Sequence, residues 1–266
     1  MINDGASVWQ KLMIGVCYAV MIAVNVAANA LPINGMSTGE ISAAFPNLFA
    51  PIGWTFAIWG FIYLLLGLHT AYQFGWLDNK SASANNLLLV RTGLLFALTS
   101  LVNAAWIFAW HYLLIPLSMV LMLMLLLLLG AIVLLHKRAQ LSPREQLLVR
   151  LPFSVYFGWI TVATIANATV LLVNIGWEGF GIAESTWTAL MLVVGMIIGI
   201  ATIVNLRDSA YGLVLVWAYA GILAKHFAPA GFAGEYPLVM GVAGVSIVIL
   251  AAVTSVVARQ VSAKPI

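Results

Sequence analysis

The sequence predicts an all-α polytopic membrane protein, a bundle of eight transmembrane helices, and three observations carry that expectation. Of 266 residues, 64% are apolar and only 7% are charged, whereas a water-soluble domain carries about a quarter charged residues. The apolar residues gather into eight runs at 9–31, 51–74, 87–111, 113–136, 148–174, 186–206, 209–227 and 237–258. Each run is close to the ~20 residues needed to cross ~30 Å of hydrocarbon. Eight crossings also put ten of the eleven basic residues on one side: Lys11, Lys80, Arg91, Lys137, Arg138, Arg144, Arg150, Arg207, Arg259 and Lys264, with Lys225 alone opposite. Basic loops stay in the cytoplasm, so both termini are expected there, in a multi-pass protein of a bacterial inner (plasma) membrane. An odd number of spans would scatter the basic residues over both faces.

Taken in order, the first run resembles a secretory signal at its end, where Ala28-Asn29-Ala30 has the small-residue pattern of a cleavage site. Its length exceeds a signal core and Asn25 and Asn29 interrupt it, so it reads as a retained span. Span two opens on Pro51 and span eight on Pro237, residues tolerated in a first helical turn. Pro116 and Pro152 read the same way at the starts of spans four and five. Between spans six and seven lies only Leu206-Arg207-Asp208-Ser209. A continuous helix there would bury an arginine and an aspartate at ~3 kcal/mol each, so a hairpin is expected. The longest cytoplasmic loop, His136 to Arg150, reads as a topology anchor at anionic headgroups. The outer loop from Pro32 to Ala50 carries one charge, Glu40, and is long enough to fold over the outer mouth of the bundle.

Chemistry-bearing groups are sparse. The eight acids, Asp4, Glu40, Asp78, Glu145, Glu178, Glu184, Asp208 and Glu235, read as loop or helix-end residues, unlike the intramembrane acids of proton-coupled carriers. His69, His111, His136 and His226 show no metal-ligand spacing. Cys17 is alone, which excludes an intrachain disulfide. No nucleophile–base pair, phosphate loop or dinucleotide fingerprint is present, so no catalytic residue is assigned and no metal or cofactor is required. The net charge of +3 belongs to the cytoplasmic loops and gives no nucleic-acid footprint.

Ten tryptophans remain. Trp9, Trp76, Trp177 and Trp187 sit at expected membrane edges and suit an interfacial belt, while Trp59, Trp106, Trp159 and Trp217 lie inside their spans. At helical spacing, Phe56, Trp59, Tyr63 and Gly67 share one face of span two, and Thr99, Asn103, Trp106 and Trp110 one face of span three. Trp159, Ala163, Asn167 and Asn174 form a third stripe on span five. Amides are costly in hydrocarbon without a partner, so these faces should point into the bundle. Either the amides merely join neighbouring helices, or the stripes line an aromatic cavity for an apolar small molecule. Gly195-x-x-x-Gly199 permits close helix approach, within the bundle or in a homodimer.

These residues resemble the TspO/MBR family: tryptophan-rich sensory proteins that include the mitochondrial translocator protein, or peripheral-type benzodiazepine receptor. Pro51, Trp54, Trp59, Tyr63 and Gly67 reproduce its motif from the first loop into span two. Asn103-Ala104-Ala105-Trp106 reproduces the motif of span three, and Trp159, Asn167 and Asn174 that of span five. The family's Gly-Pro between the two span-two tryptophans is missing. Ala168 stands where the vertebrate branch places the tyrosine of its cholesterol motif.

The resemblance covers roughly residues 9–176. It implies a five-span ligand-binding unit over 1–176, with three additional helices over 177–266. It further implies binding of a flat, hydrophobic ligand, with porphyrin or haem the leading class, for sensing or transport. By motif, Trp54 would be a lid contact, Trp106 and Trp159 aromatic walls, Asn167 a polar anchor and Ala163 the small residue leaving room for a ring. Trp59, Tyr63, Asn103 and Trp110 complete the expected site. The expected partners are the lipid bilayer and that ligand. A transporter of another lipid-like solute, a non-transporting scaffold and an enzyme acting on bound tetrapyrrole are the rival readings.

Overall fold

A computed structural model describes residues 7–31, 33–77 and 86–262. Asp4, Pro32, Asp78, Lys80 and Lys264, on which the topology reading drew, lie outside the described residues. Every regular element among the described residues is helical. It runs α1 (Val8–Ala30), a short α2 (Thr38–Ala43), then a 3-10 turn (Gly53–Ala57) leading into α3 (Ile58–Gln73). After these come α4 (Asn86–His111), α5 (Ile115–Lys137), α6 (Pro143–Asn174), α7 (Glu184–Leu206), α8 (Ser209–Phe227) and α9 (Pro237–Ser262). All except α2 are long and apolar enough to cross a membrane, α3 together with its 3-10 turn as Gly53–Gln73, and the chain is a polytopic helical membrane protein.

Local chemistry sets the helix ends. Ser7 and Gln10 cap α1 reciprocally, the Gln10 amide on Ser7 Oγ at 3.3 Å and the Ser7 amide on Gln10 Oε1 at 2.9 Å. Pro116 falls in the first turn of α5, where no intrahelical donor is needed. The expected hairpin between α7 and α8 forms: Arg207 takes the left-handed conformation with φ 50° and ψ 53°, and the Asp208 carboxylate accepts from the Tyr211 amide at 3.1 Å.

Packing divides the chain into two compact units. The first comprises Met1–Thr38 and Trp59–Phe157, the second Gly39–Ile58 and Gly158–Ile266. In the first, α4 packs against both α1 and α5. Its close approaches use glycine: a Cβ at Gly67 would lie 2.8 Å from Tyr18 Oη, and that hydroxyl donates to the Tyr63 carbonyl at 2.9 Å. In the second, α7, α8 and α9 pack on one another. Gly195 and Gly199 admit Tyr219 and Leu215 of α8, so that small-residue face is occupied within the chain.

Two expectations are corrected. Helix α6 begins at Pro143 instead of near 148, because Ser142 and Glu145 form a capping box with Pro143 in its first turn. Arg144, Glu145 and Arg150 are therefore helical, and the loop read as His136 to Arg150 shrinks to the stretch 138–142. Pro152 accordingly lies in the interior of α6. A proline there cannot donate to residue 148, and the helix adapts with a π turn over Gln146–Arg150. His69 of α3 supplies the missing donor, its Nδ1 lying 2.9 Å from the Leu148 carbonyl oxygen.

Candidate functional site

Five of the nine expected site residues come together in the first unit. The rings of Tyr63, Trp59, Trp106 and Trp110 form a near-parallel column. Trp59 lies 5.5 Å from Tyr63 and 6.4 Å from Trp106, with Trp106 5.5 Å from Trp110, at interplanar angles of 24°, 29° and 21° respectively. Spacing explains this: Trp59 and Tyr63 are one helical turn apart on α3, and Trp106 and Trp110 one turn apart on α4. Tyr156 of α6 meets Trp59 edge-on at 5.9 Å. Trp106 and Trp110 are each only 5% exposed, while Trp59 and Tyr63 are half-buried. One end of the column is therefore enclosed and the other partly open.

Asn103 is tied to this column through Asn25, which holds Tyr63, and through Tyr156, which meets Trp59. It is fully buried; its Oδ1 accepts from Asn25 Nδ2 at 2.7 Å and its Nδ2 donates to Tyr156 Oη at 2.9 Å. Tyr63 Oη donates to Asn25 Oδ1 at 2.5 Å. Asn25, Tyr63, Asn103 and Tyr156 thus join α1, α3, α4 and α6 through one polar network, as buried amides and phenols in an apolar interior require. At the column's enclosed end, Trp110 Nε1 donates to the Thr38 carbonyl at 3.2 Å.

The other four expected residues lie in the second unit. Trp54, in the 3-10 turn, is 48% exposed and meets Trp217 edge-on at 4.9 Å. Trp217 in turn donates through Nε1 to the Thr55 carbonyl at 3.0 Å. Trp159 is buried and edge-on to Phe56 at 5.8 Å. Asn167 is buried and Ala163 half-buried. Phe56 itself sits in the 3-10 turn, whose winding is tighter than the α-helical spacing that groups Trp59 with Tyr63.

A cavity of about 730 Å³ lies wholly in the second unit. Its walls come from the segment at 46–49, the last three turns of α6, the α6–α7 connection and the first two turns of α7. Thr164, Ala168 and Leu172 face it. At 100° per residue these lie on the far side of α6 from Trp159, Ala163 and Asn167. Trp177 and Trp187, expected at the membrane edge, both line this cavity and meet edge-on at 5.0 Å. The flanking acids Glu178 and Glu184 were the available signal. Asn25 and Tyr156 were also missed, because pairing between helices is invisible to spacing within one.

The four histidines, all at most 1% exposed, serve as cross-braces. His111 sets Nδ1 against the Ile33 carbonyl at 3.1 Å and Nε2 against Thr38 Oγ1 at 3.0 Å. His136 Nε2 lies 3.0 Å from Thr92 Oγ1, and His226 Nε2 2.9 Å from the Leu48 carbonyl. Among the described residues, no group of three or more His, Cys, Asp or Glu could hold a metal ion.

No curated protein and no solved structure matches this chain. A protein-family model does, that described as TSPO-like protein, over residues 11–256. The match continues past residue 176 and takes in the last three spans as well as the motif-bearing ones. With its tryptophan- and asparagine-bearing helices, the chain belongs to the TSPO-like protein family.

Proposed function

We propose that this integral membrane protein of the TspO type binds a flat, largely apolar molecule of the porphyrin class, for sensing or transport. The ligand would stack on the partly open end of the Tyr63–Trp59–Trp106–Trp110 column, with the termini in the cytoplasm as the basic residues imply. The single observation supporting this is the parallel arrangement of four rings with two of them half-buried. A further planar ring extends such a column at a gain of about 0.5–1.5 kcal/mol per aromatic pair beyond area burial. Hydrogen bonds from Tyr63 Oη and Trp110 Nε1 hold the two ends of the column before the ligand arrives, which lowers the ordering cost of binding.

No histidine belongs to the column, so recognition is through ring faces and not through an axial nitrogen. Metal-free protoporphyrin and haem should then bind with similar affinity. Tryptophan quenching by protoporphyrin in detergent tests the proposal. Trp59→Leu should weaken binding about tenfold, equivalent to ~1.4 kcal/mol, with helix content and melting temperature retained. Equal quenching curves for Trp59→Leu, Trp106→Leu and the unaltered protein would overturn the assignment.

A further inference from the structure

The 730 Å³ cavity of the second unit shares no lining residue with the aromatic column and uses the opposite face of α6 from the family-motif residues. Its volume falls within the range of about 300–1,000 Å³ that holds drug-sized ligands. Three aromatic side chains, Phe49, Trp177 and Trp187, wall it, and Ala168, Leu172 and Met191 supply an apolar floor. Glu178 and Glu184, both exposed, are the two acids among its lining residues, and no lysine, arginine or histidine lines it among the described residues. The aromatic wall is fixed: Trp187 Nε1 donates to the Gly179 carbonyl at 2.8 Å. Gly179 has φ +62°, and a Cβ there would lie 2.9 Å from the same Trp187 nitrogen, so only glycine fits.

We infer that this cavity is a second ligand site, for a hydrophobic organic cation carrying an amine or quaternary ammonium on an apolar body. Indole faces and carboxylates both attract a cationic head, and the floor takes the apolar remainder. A phospholipid headgroup is disfavoured even where it carries an ammonium, because its phosphate would meet two acids and no basic partner. The inference is independent of porphyrin stacking, which concerns the first unit.

Rhodamine 6G, a cationic dye, and fluorescein, its anionic counterpart, serve as probes by fluorescence polarisation with the full chain in phosphatidylglycerol nanodiscs. Saturable binding of rhodamine 6G and none of fluorescein is expected. The double substitution Glu178→Gln, Glu184→Gln should weaken rhodamine binding at least about tenfold. Glu184 Oε1 accepts from the Leu48 amide at 3.2 Å, and the carboxamide oxygen of the Glu184→Gln variant can do the same, so the wall is kept while the charge is lost. Met191→Trp, which fills the floor, should abolish binding while leaving protoporphyrin quenching unchanged. Equal affinity for the two dyes, unchanged rhodamine affinity in both variants, or displacement of the dye by phosphatidylethanolamine would each overturn it.

Discussion

The ring of His69 and the carbonyl of Leu148 are joined at 2.9 Å, across the point where Pro152 leaves α6 without a backbone donor. A carbonyl only accepts, so His69 Nδ1 carries the proton. Nε2 is then the acceptor facing Gln73 Nε2 at 3.2 Å, and Gln73 Nε2 also donates to the Leu89 carbonyl at 3.0 Å. His69→Phe removes the donor and should destabilise the protein by about 1–3 kcal/mol, the cost of a buried acceptor left unpaired. Pro152→Ala restores an N–H four residues from Leu148. Combined with His69→Phe it should cost less than the two single changes summed, by chemical denaturation in detergent. Simple additivity would contradict the pairing.

Asn25 and Asn103 should behave as a unit. Asn103→Leu leaves the Asn25 amide and the Tyr156 hydroxyl each short of a partner, a loss of about 2 kcal/mol. Replacing both asparagines by leucine should cost less than the two single losses summed, because the bond between them is lost only once, although Tyr63 Oη then also lacks its acceptor. Thermal melts of the two single variants and the double variant close the cycle.

The α7–α8 hairpin offers a gain and a loss. Arg207 holds a left-handed conformation at φ 50°, so Arg207→Gly should stabilise by roughly 1 kcal/mol, the strain an L-residue carries there. Asp208→Ala removes the N-cap and should cost ~1 kcal/mol. Opposite shifts in melting temperature check both.

Membrane orientation is tested by placing a single cysteine in a Cys17→Ala background. Gln140→Cys and Ala230→Cys both put the thiol on exposed positions. An impermeant maleimide added to intact cells should label Ala230→Cys and spare Gln140→Cys. The reverse pattern would invert the topology that the basic residues imply.

The eight spans were legible because hydropathy is a local property: each run of apolar residues is a helix whatever its neighbours do. The hairpin at Arg207-Asp208 was legible for the same reason, since the cost of burying two charges does not depend on context. Pro152 was misread because the capping box at Ser142 and Glu145, two turns upstream, moves the helix start and so changes what a proline there means. Trp59, Tyr63, Trp106 and Trp110 were correctly grouped on their own helices. That Asn103 pairs with Asn25, or that Trp177 and Trp187 wall a cavity, depends on which helices adjoin, and no periodicity within one helix encodes that.

Both backbone polar groups of Leu48 are held, its amide by Glu184 and its carbonyl by His226. Asn47 beside it folds its own side chain back on the Phe49 and Ala50 amides at 3.1 and 2.8 Å. The strip of chain bearing Asn47 and Phe49 is therefore a rigid cornice, not a swinging flap, and displacing it forfeits several hydrogen bonds at about 1 kcal/mol apiece. A ligand of the second site inferred above would therefore meet a wall that does not remodel, and its size and outline should decide whether it enters.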